Sequence, residues 1–264
     1  MGRSRREEVL MFAKFNLKLT ENQISKEYGK DGIGQKDILE EKVHQVIDRY
    51  LLREDSLDAA AIEEDWFPEI NAHVFLSHSH KDEKAVINLA GYLYQEYGIT
   101  SFIDSTVWGY ADNLLKMIDK RYCVDSKDKY GNIMYSYEKR NRTTAQVHLL
   151  LQGALAKMIN RCECLIFVNT PNSLKITDVQ SDTITASPWI YSEILMASTF
   201  PGRPLREYRL DELTHFNEEV IYKMDLTGFV DLSVEDFAKA KEKTVIDTPE
   251  KILERLYYDK SILK

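Results

Sequence analysis

From about residue 70 onward, short apolar runs alternate with longer amphipathic stretches. Val74–Leu76 has strand character, and Val86, Leu89, Ala90, Leu93 and Tyr97 then recur at helical spacing, with Gly98 where a helix C-cap falls. Thr100–Ile103 reads as a second strand closing on Asp104, and Asn113–Tyr122 as a helix. Thr143 or Thr144 is placed to open another helix, on which Val147, Leu150, Leu151, Ala154 and Met158 form one stripe. Leu165-Ile166-Phe167-Val168 is the unbroken apolar run of a central parallel strand covered on both faces. A polar loop from Leu174 to Ala186 leads to Ser187-Pro188, a capping serine followed by proline at the first helical position, opening a helix to about Ser198. Glu219–Met224 reads as a further strand, Arg206–Leu210 as a less regular one, and Thr248-Pro249-Glu250 starts a final helix. This alternation predicts an α/β fold with a doubly wound, mostly parallel sheet.

Two stretches depart from that rhythm. Residues 1–68 read as a helical N-terminal extension, with amphipathic stretches at Glu7–Leu19 and Asp37–Leu52 separated by the glycines between Gly29 and Gly34. Residues 69–264 form the main domain. Within it, about 125–142 is polar and tyrosine-containing, and reads as an insertion with a hairpin around Tyr130-Gly131-Asn132.

Composition narrows the function classes. The net charge of -8 and pI near 5.4 argue against general nucleic-acid binding. No apolar run approaches a membrane span, and Met1–Arg6 lacks the apolar core of a signal peptide. The expectation is a cytoplasmic protein with no membrane and no nucleic-acid partner. Cys123, Cys162 and Cys164 read as reduced thiols, the latter two sharing one face of a strand; no His or Cys pair stands near them at zinc-site spacing, so no metal and no cofactor is expected.

Three constellations could carry chemistry. Ser77-His78-Ser79-His80-Lys81-Asp82 follows the first strand, at the strand-to-helix turn where open α/β sheets bind ligands. It lacks the glycines of a Walker or Rossmann loop. Ser79 or Asp82 could equally cap the next helix. Asp104 closes the second strand, where a carboxylate could hold ribose hydroxyls, and Trp108 on the following loop could stack on a base or pack on the rim. Trp189 and Glu193 are four apart on the helix opened by Ser187, hence on one face. A carboxylate beside a tryptophan can stabilise positive charge building on a sugar during glycosidic cleavage, although an exposed helical glutamate fits the spacing as well.

His73-Val74-Phe75-Leu76-Ser77-His78-Ser79-His80-Lys81-Asp82 resembles the opening strand and loop of Toll/interleukin-1 receptor (TIR) domains of the bacterial type. Ser187–Glu193 resembles their tryptophan-x-x-x-glutamate helix. The resemblance covers about residues 70–264 and implies a flavodoxin-like sheet of five parallel strands. It further implies cleavage of the nicotinamide–ribose bond of NAD+, giving ADP-ribose or a cyclic ADP-ribose isomer, in antiphage defence. Glu193 would then be catalytic, Trp189 would wall the pocket, Ser77, His78, Ser79 and Ser187 would line it, and Asp104–Asp112 would be a mobile loop gating it. The implied partners are NAD+ as substrate, a second copy of the chain, and a downstream effector responding to a nucleotide product. Ile190 stands where many members carry cysteine. The rival expectations are a non-enzymatic TIR scaffold and a nucleoside deoxyribosyltransferase-like enzyme, which also uses a glutamate.

Overall fold

The structure is a computed structural model that describes residues 13–20, 23–40, 51–53, 56–66, 71–176, 183–185, 187–199, 222–223 and 226–262. The chain runs β1 (Ala13–Lys18), α1 (Gly29–Glu40), β2 (Leu51–Arg53), β3 (Ser56–Leu57), α2 (Ala59–Trp66), β4 (Val74–Ser77), α3 (Glu83–Tyr97) and β5 (Ser101–Ile103). It continues with α4 (Ser105–Tyr122), β6 (Val124–Lys127), β7 (Ile133–Tyr135), α5 (Tyr137–Arg161) and β8 (Cys164–Asn169). The last elements are β9 (Lys175–Ile176), β10 (Thr183–Thr185), α6 (Pro188–Thr199), β11 (Tyr222–Lys223), β12 (Val230–Leu232), α7 (Val234–Glu242) and α8 (Pro249–Asp259).

Five strands form one all-parallel sheet in the order β12-β1-β8-β4-β5. Its side chains alternate between two cores, as the pleat requires. Phe75, Phe102, Leu165 and Phe167 pack under α2, α4, α5 and α6; Val74, Leu76, Ile166, Val168, Phe15 and Leu17 pack under α3, α7 and α8. The expected doubly wound α/β architecture is therefore present. The segment β5-β4-β8 keeps the 2-1-3 arrangement of the flavodoxin-like order. The next place is filled by β1, from the beginning of the chain, and the edge by β12.

That position of β1 corrects the reading of residues 1–68 as a helical extension. Ala13–Lys18 is a strand inside the main sheet, hydrogen-bonded to β8 on one side and β12 on the other. Lys14-Phe15-Asn16-Leu17-Lys18 alternates with period two, and Ala13, Phe15 and Leu17 are buried on one face. On the other face Asn16 donates to Asp231 and accepts from Asn169, each at 3.0 Å, tying three neighbouring strands together.

The glycines expected to break the pattern lie inside α1. A Cβ on Gly32 would stand 1.9 Å from the carbonyl oxygen of Ile87, and one on Gly91 of α3 would stand 1.9 Å from that of Tyr28. Helix-on-helix contact this close needs hydrogen as the side chain, which outweighs the propensity cost of glycine, about 1 kcal/mol each. Residues 41–50, which complete the expected helix Asp37–Leu52, lie outside the described residues, and Leu51–Arg53 is a strand.

Elsewhere the pattern is closer to expectation. Gly98 caps α3 in the left-handed conformation at φ 66°, and Cys164–Asn169 is the middle strand of the sheet. The 125–142 segment forms the β6-β7 hairpin, with Gly131 at φ 86° in its turn. The helix after it starts at Tyr137, capped by Ser136, rather than at Thr143. Thr143 is buried and donates instead to Asp119 of α4 at 3.0 Å. The fifth strand of the sheet is Val230–Leu232; Tyr222–Lys223 belongs to a small antiparallel sheet with β9 and β10, and Arg206–Leu210 lies outside the described residues. Cys162 and Cys164 fall in opposite cores, because Cys162 ends α5 before the strand begins. No described helix is long and apolar enough to cross a membrane.

Candidate functional site

Because the sheet is parallel, β4, β5 and β8 all end at one edge. The chain winds from β4 to β5 in one direction and then crosses back to β8 on the other side of β4. A crevice outside the carboxyl ends of the strands is expected at such a reversal. A cleft of about 400 Å³ lies there. This is at the low end of small-molecule sites, roughly 300–1,000 Å³.

His78 and His80, following β4, form part of its wall, with Asp104 and Ser105 after β5 and Ala111 and Asp112 of α4. Across from them stand His148 and Leu151 of α5 and Ser187 and Trp189 at the start of α6. Four sequence-predicted site residues therefore line the cleft: His78, Asp104, Ser187 and Trp189. Ser187 also caps α6, accepting from the Ile190 amide at 3.3 Å. The Trp189 ring meets His148 edge to face, with centroids 5.2 Å apart and planes at 82°.

Ser77 and Glu193 lie beneath the cleft rather than in its lining. Ser77 ends β4 on the face covered by α6, and its hydroxyl donates to the Glu193 carboxyl at 2.6 Å. Glu193 is fully buried, 0% exposed. The exposed helical glutamate that the spacing also allowed is thereby excluded. Burial, above all, pushes its carboxyl well above the usual range; the charge and contact of Asp104 push the same way, and the Ser77 hydrogen bond only partly opposes them.

Asp104 connects this buried carboxyl to the cleft wall. It is 3% exposed, and its carboxylate stands 2.5 Å from His78 Nδ1. Asp104 occupies the N-cap position of α4 without capping it, because the side chain turns to His78. Burial alone would lower the basicity of His78. The charge and hydrogen bond of Asp104, the Leu76 carbonyl and the charge of Glu83 outweigh it, so the imidazole is raised above its ordinary value. His78 Nε2 and Glu193 Oε1 are both buried without a hydrogen-bond partner among the described residues. Such atoms cost about 1–3 kcal/mol each, a strain commonly found where a ligand completes the bonding.

Several expectations are corrected. Ser79 makes no side-chain cap bond and does not line the cleft. Asp82 does not cap α3 either: its carboxylate takes the Thr170 hydroxyl at 2.5 Å and the Asn172 amide at 2.6 Å. It thus ties the turn after β4 to the turn after β8. Asp104–Asp112 is not a loop, since α4 begins at Ser105. Trp108 lies within that helix, and its side chain is outside the described ones.

The residues that sequence reasoning missed are His148, Leu151 and Ala111. They sit inside helices, where an amphipathic pattern marks the buried stripe but does not say which part of it borders a cleft. No group of three or more potential ligands that could hold a metal is found among the described residues. Comparison with protein-family models, with curated proteins and with solved structures gives no match to this chain.

Proposed function

We propose that the cleft binds the nicotinamide-riboside end of NAD+ and cleaves its N-glycosidic bond. The observation that carries this is the buried acidic pair Asp104 and Glu193, backed by Ser77 and His78, beside a cleft walled by Trp189. Departure of nicotinamide leaves positive charge on the ribose, and a carboxylate fixed in a desolvated wall stabilises it more strongly than one in water. The pyridine nitrogen takes the bonding electron pair and leaves as a neutral base, so no proton need be delivered to it. Water then adds to the anomeric carbon and releases a proton, giving ADP-ribose; attack by a nitrogen of the adenine gives a cyclic isomer instead. Trp189 supplies a flat apolar wall for the heterocycle.

The resemblance to TIR domains supports the same reading. Ser77 and Glu193 belong to the two motifs that carry it, and they meet although 116 residues apart. From that resemblance come the further proposals of assembly with other copies of the chain and of a nucleotide product read by an effector in antiphage defence.

The test is purified protein incubated with NAD+, with nicotinamide release followed by chromatography and the other product identified by mass spectrometry. Release well above the spontaneous rate is expected, falling by at least about a hundredfold in the double variant Asp104→Asn/Glu193→Gln, the scale seen when electrostatic stabilisation is removed. Protein that leaves NAD+ intact but exchanges the base of free nucleosides would be a deoxyribosyltransferase-like enzyme. Protein that does neither, even when assembled, would be a scaffold.

A further inference from the structure

We propose that the β6-β7 hairpin is a docking surface for a second copy of this chain, the two copies pairing antiparallel along the outer edge of β7 about a two-fold axis at Met134. The hairpin is a two-stranded sheet of its own. Such a ribbon is marginal in water and gains from further strands. It is anchored at the end nearest the helices. There the Ser136 amide donates to the Cys123 carbonyl at 2.8 Å, and the Arg140 guanidinium lies over the Tyr135 ring while donating to Asp119 of α4 at 2.8 Å. The rest of the hairpin is open to solvent. Val124, Tyr130, Ile133, Met134 and Tyr137 are exposed large apolar side chains, Met134 to 50%. Between Val124 and Tyr137, Asp125 and Asp128 are matched by Lys127 and Lys129, so this segment is neutral in a chain of net charge -8. Two copies can meet here without the like-charge repulsion that an acidic surface imposes.

The edge itself fits the same partner. The Asn132 carbonyl accepts from the Asp128 amide and the Ser136 amide donates to Cys123, both within the hairpin, and Met134 stands opposite Ser126. By the alternation of an antiparallel strand, the amides and carbonyls of Ile133 and Tyr135 then point away from β6. Pairing about Met134 sets Ile133 against Tyr135 of the partner subunit, and Tyr135 against Ile133 of the partner subunit, each pair exchanging two hydrogen bonds. The two Met134 side chains meet across the axis as a non-hydrogen-bonded pair, with Cα atoms about 4.5 Å apart. Ile133-Met134-Tyr135 carries no charge and is its own complement, as a two-fold contact requires. The contact is small, so the association depends on concentration.

The test uses full-length protein. Met134→Cys under mild oxidation should give a disulfide-linked dimer on a non-reducing gel, because the new thiols face each other across the axis. The native cysteines that could confuse the result, Cys123, Cys162 and Cys164, are buried. Ile133→Cys should stay uncrosslinked, because its two thiols lie on opposite sides of the axis, beyond the roughly 7 Å between Cα atoms that a disulfide spans. In sedimentation velocity over a concentration series, the wild type should shift from monomer to dimer. Met134→Lys, which sets two ammonium groups opposite each other at an exposed position, should remain monomeric with an unchanged circular dichroism spectrum. A wild type that stays monomeric, equal crosslinking of the two cysteine variants, or a dimer that survives Met134→Lys overturns the proposal. NAD+ turnover is measured separately, so failure of the cleft reading leaves this surface standing, and the reverse.

Discussion

Ser77 and Glu193 show how burial changes the chemistry of a side chain. On an exposed helix Glu193 would be an ordinary anion; under the cleft, burial above all, with a second carboxyl as neighbour, pushes its carboxyl well above the usual range. That has a consequence for stability. The unfolded chain loses this proton near the usual value for glutamic acid, about 4.3, while the folded state keeps it to higher pH. Between those two values the folded state binds the extra proton, so stability falls as pH rises, by up to about 1.4 kcal/mol per pH unit. Glu193→Gln does not titrate. Its unfolding free energy, measured by urea denaturation, should gain on that of the wild type between about pH 5 and pH 8. A difference that stays flat over that range would mean that Glu193 is ionised in the folded protein. The types and positions of Ser77, His78, Asp104, Ser187, Trp189 and Glu193 were legible in the sequence. Their division into cleft wall and buried support was not, because it depends on which neighbours remove water from each side chain.

Elements formed where local pattern and tertiary demand agree. Ser187-Pro188 opens α6, and Thr248-Pro249 opens α8, because cap and proline chemistry are local. Demand overrode local signals in α1, where the glycines serve the contact with α3. This contact yields a paired test. Gly91→Ala places a methyl against the Tyr28 carbonyl and should cost about 3 kcal/mol or more, the upper end for overpacking. Gly153→Ala, in α5 with nothing within 4 Å of the added carbon, should be neutral or stabilise by up to about 1 kcal/mol. Thermal unfolding of the two variants checks both; equal effects would mean that α1 and α3 do not touch in this way. Asp104–Asp112 is the reverse case. The resemblance to TIR domains implied a mobile loop there, yet the segment continues from the strand directly into α4.

At the scale of the molecule, the most consequential strand is the first one in the sequence. β1 joins β8 to β12 and brings Phe15 and Leu17 into the core beneath α8. A fragment of residues 69–264, cut where the sequence pattern places the boundary, would leave β8 and β12 with open edges and their core uncovered. It is expected to be insoluble or to lack a cooperative thermal transition by circular dichroism, whereas the full chain has one. A fragment that melted like the full chain would show that β1 is dispensable. The same placement leaves β5-β4-β8, and with it the reversal that forms the cleft, intact.

The sequence by itself determined the fold class, the middle strand, the cap chemistry of the later helices and most of the polar residues around the cleft, because periodicity and capping act over a few residues. The tertiary structure alone decided that a strand near the beginning of the chain enters the sheet, that glycines in α1 serve a helix crossing, and that Asp104 forms the wall while Glu193 lies behind it. Those outcomes depend on contacts between residues far apart in the chain, where burial and neighbouring charge, rather than local propensity, set the energy.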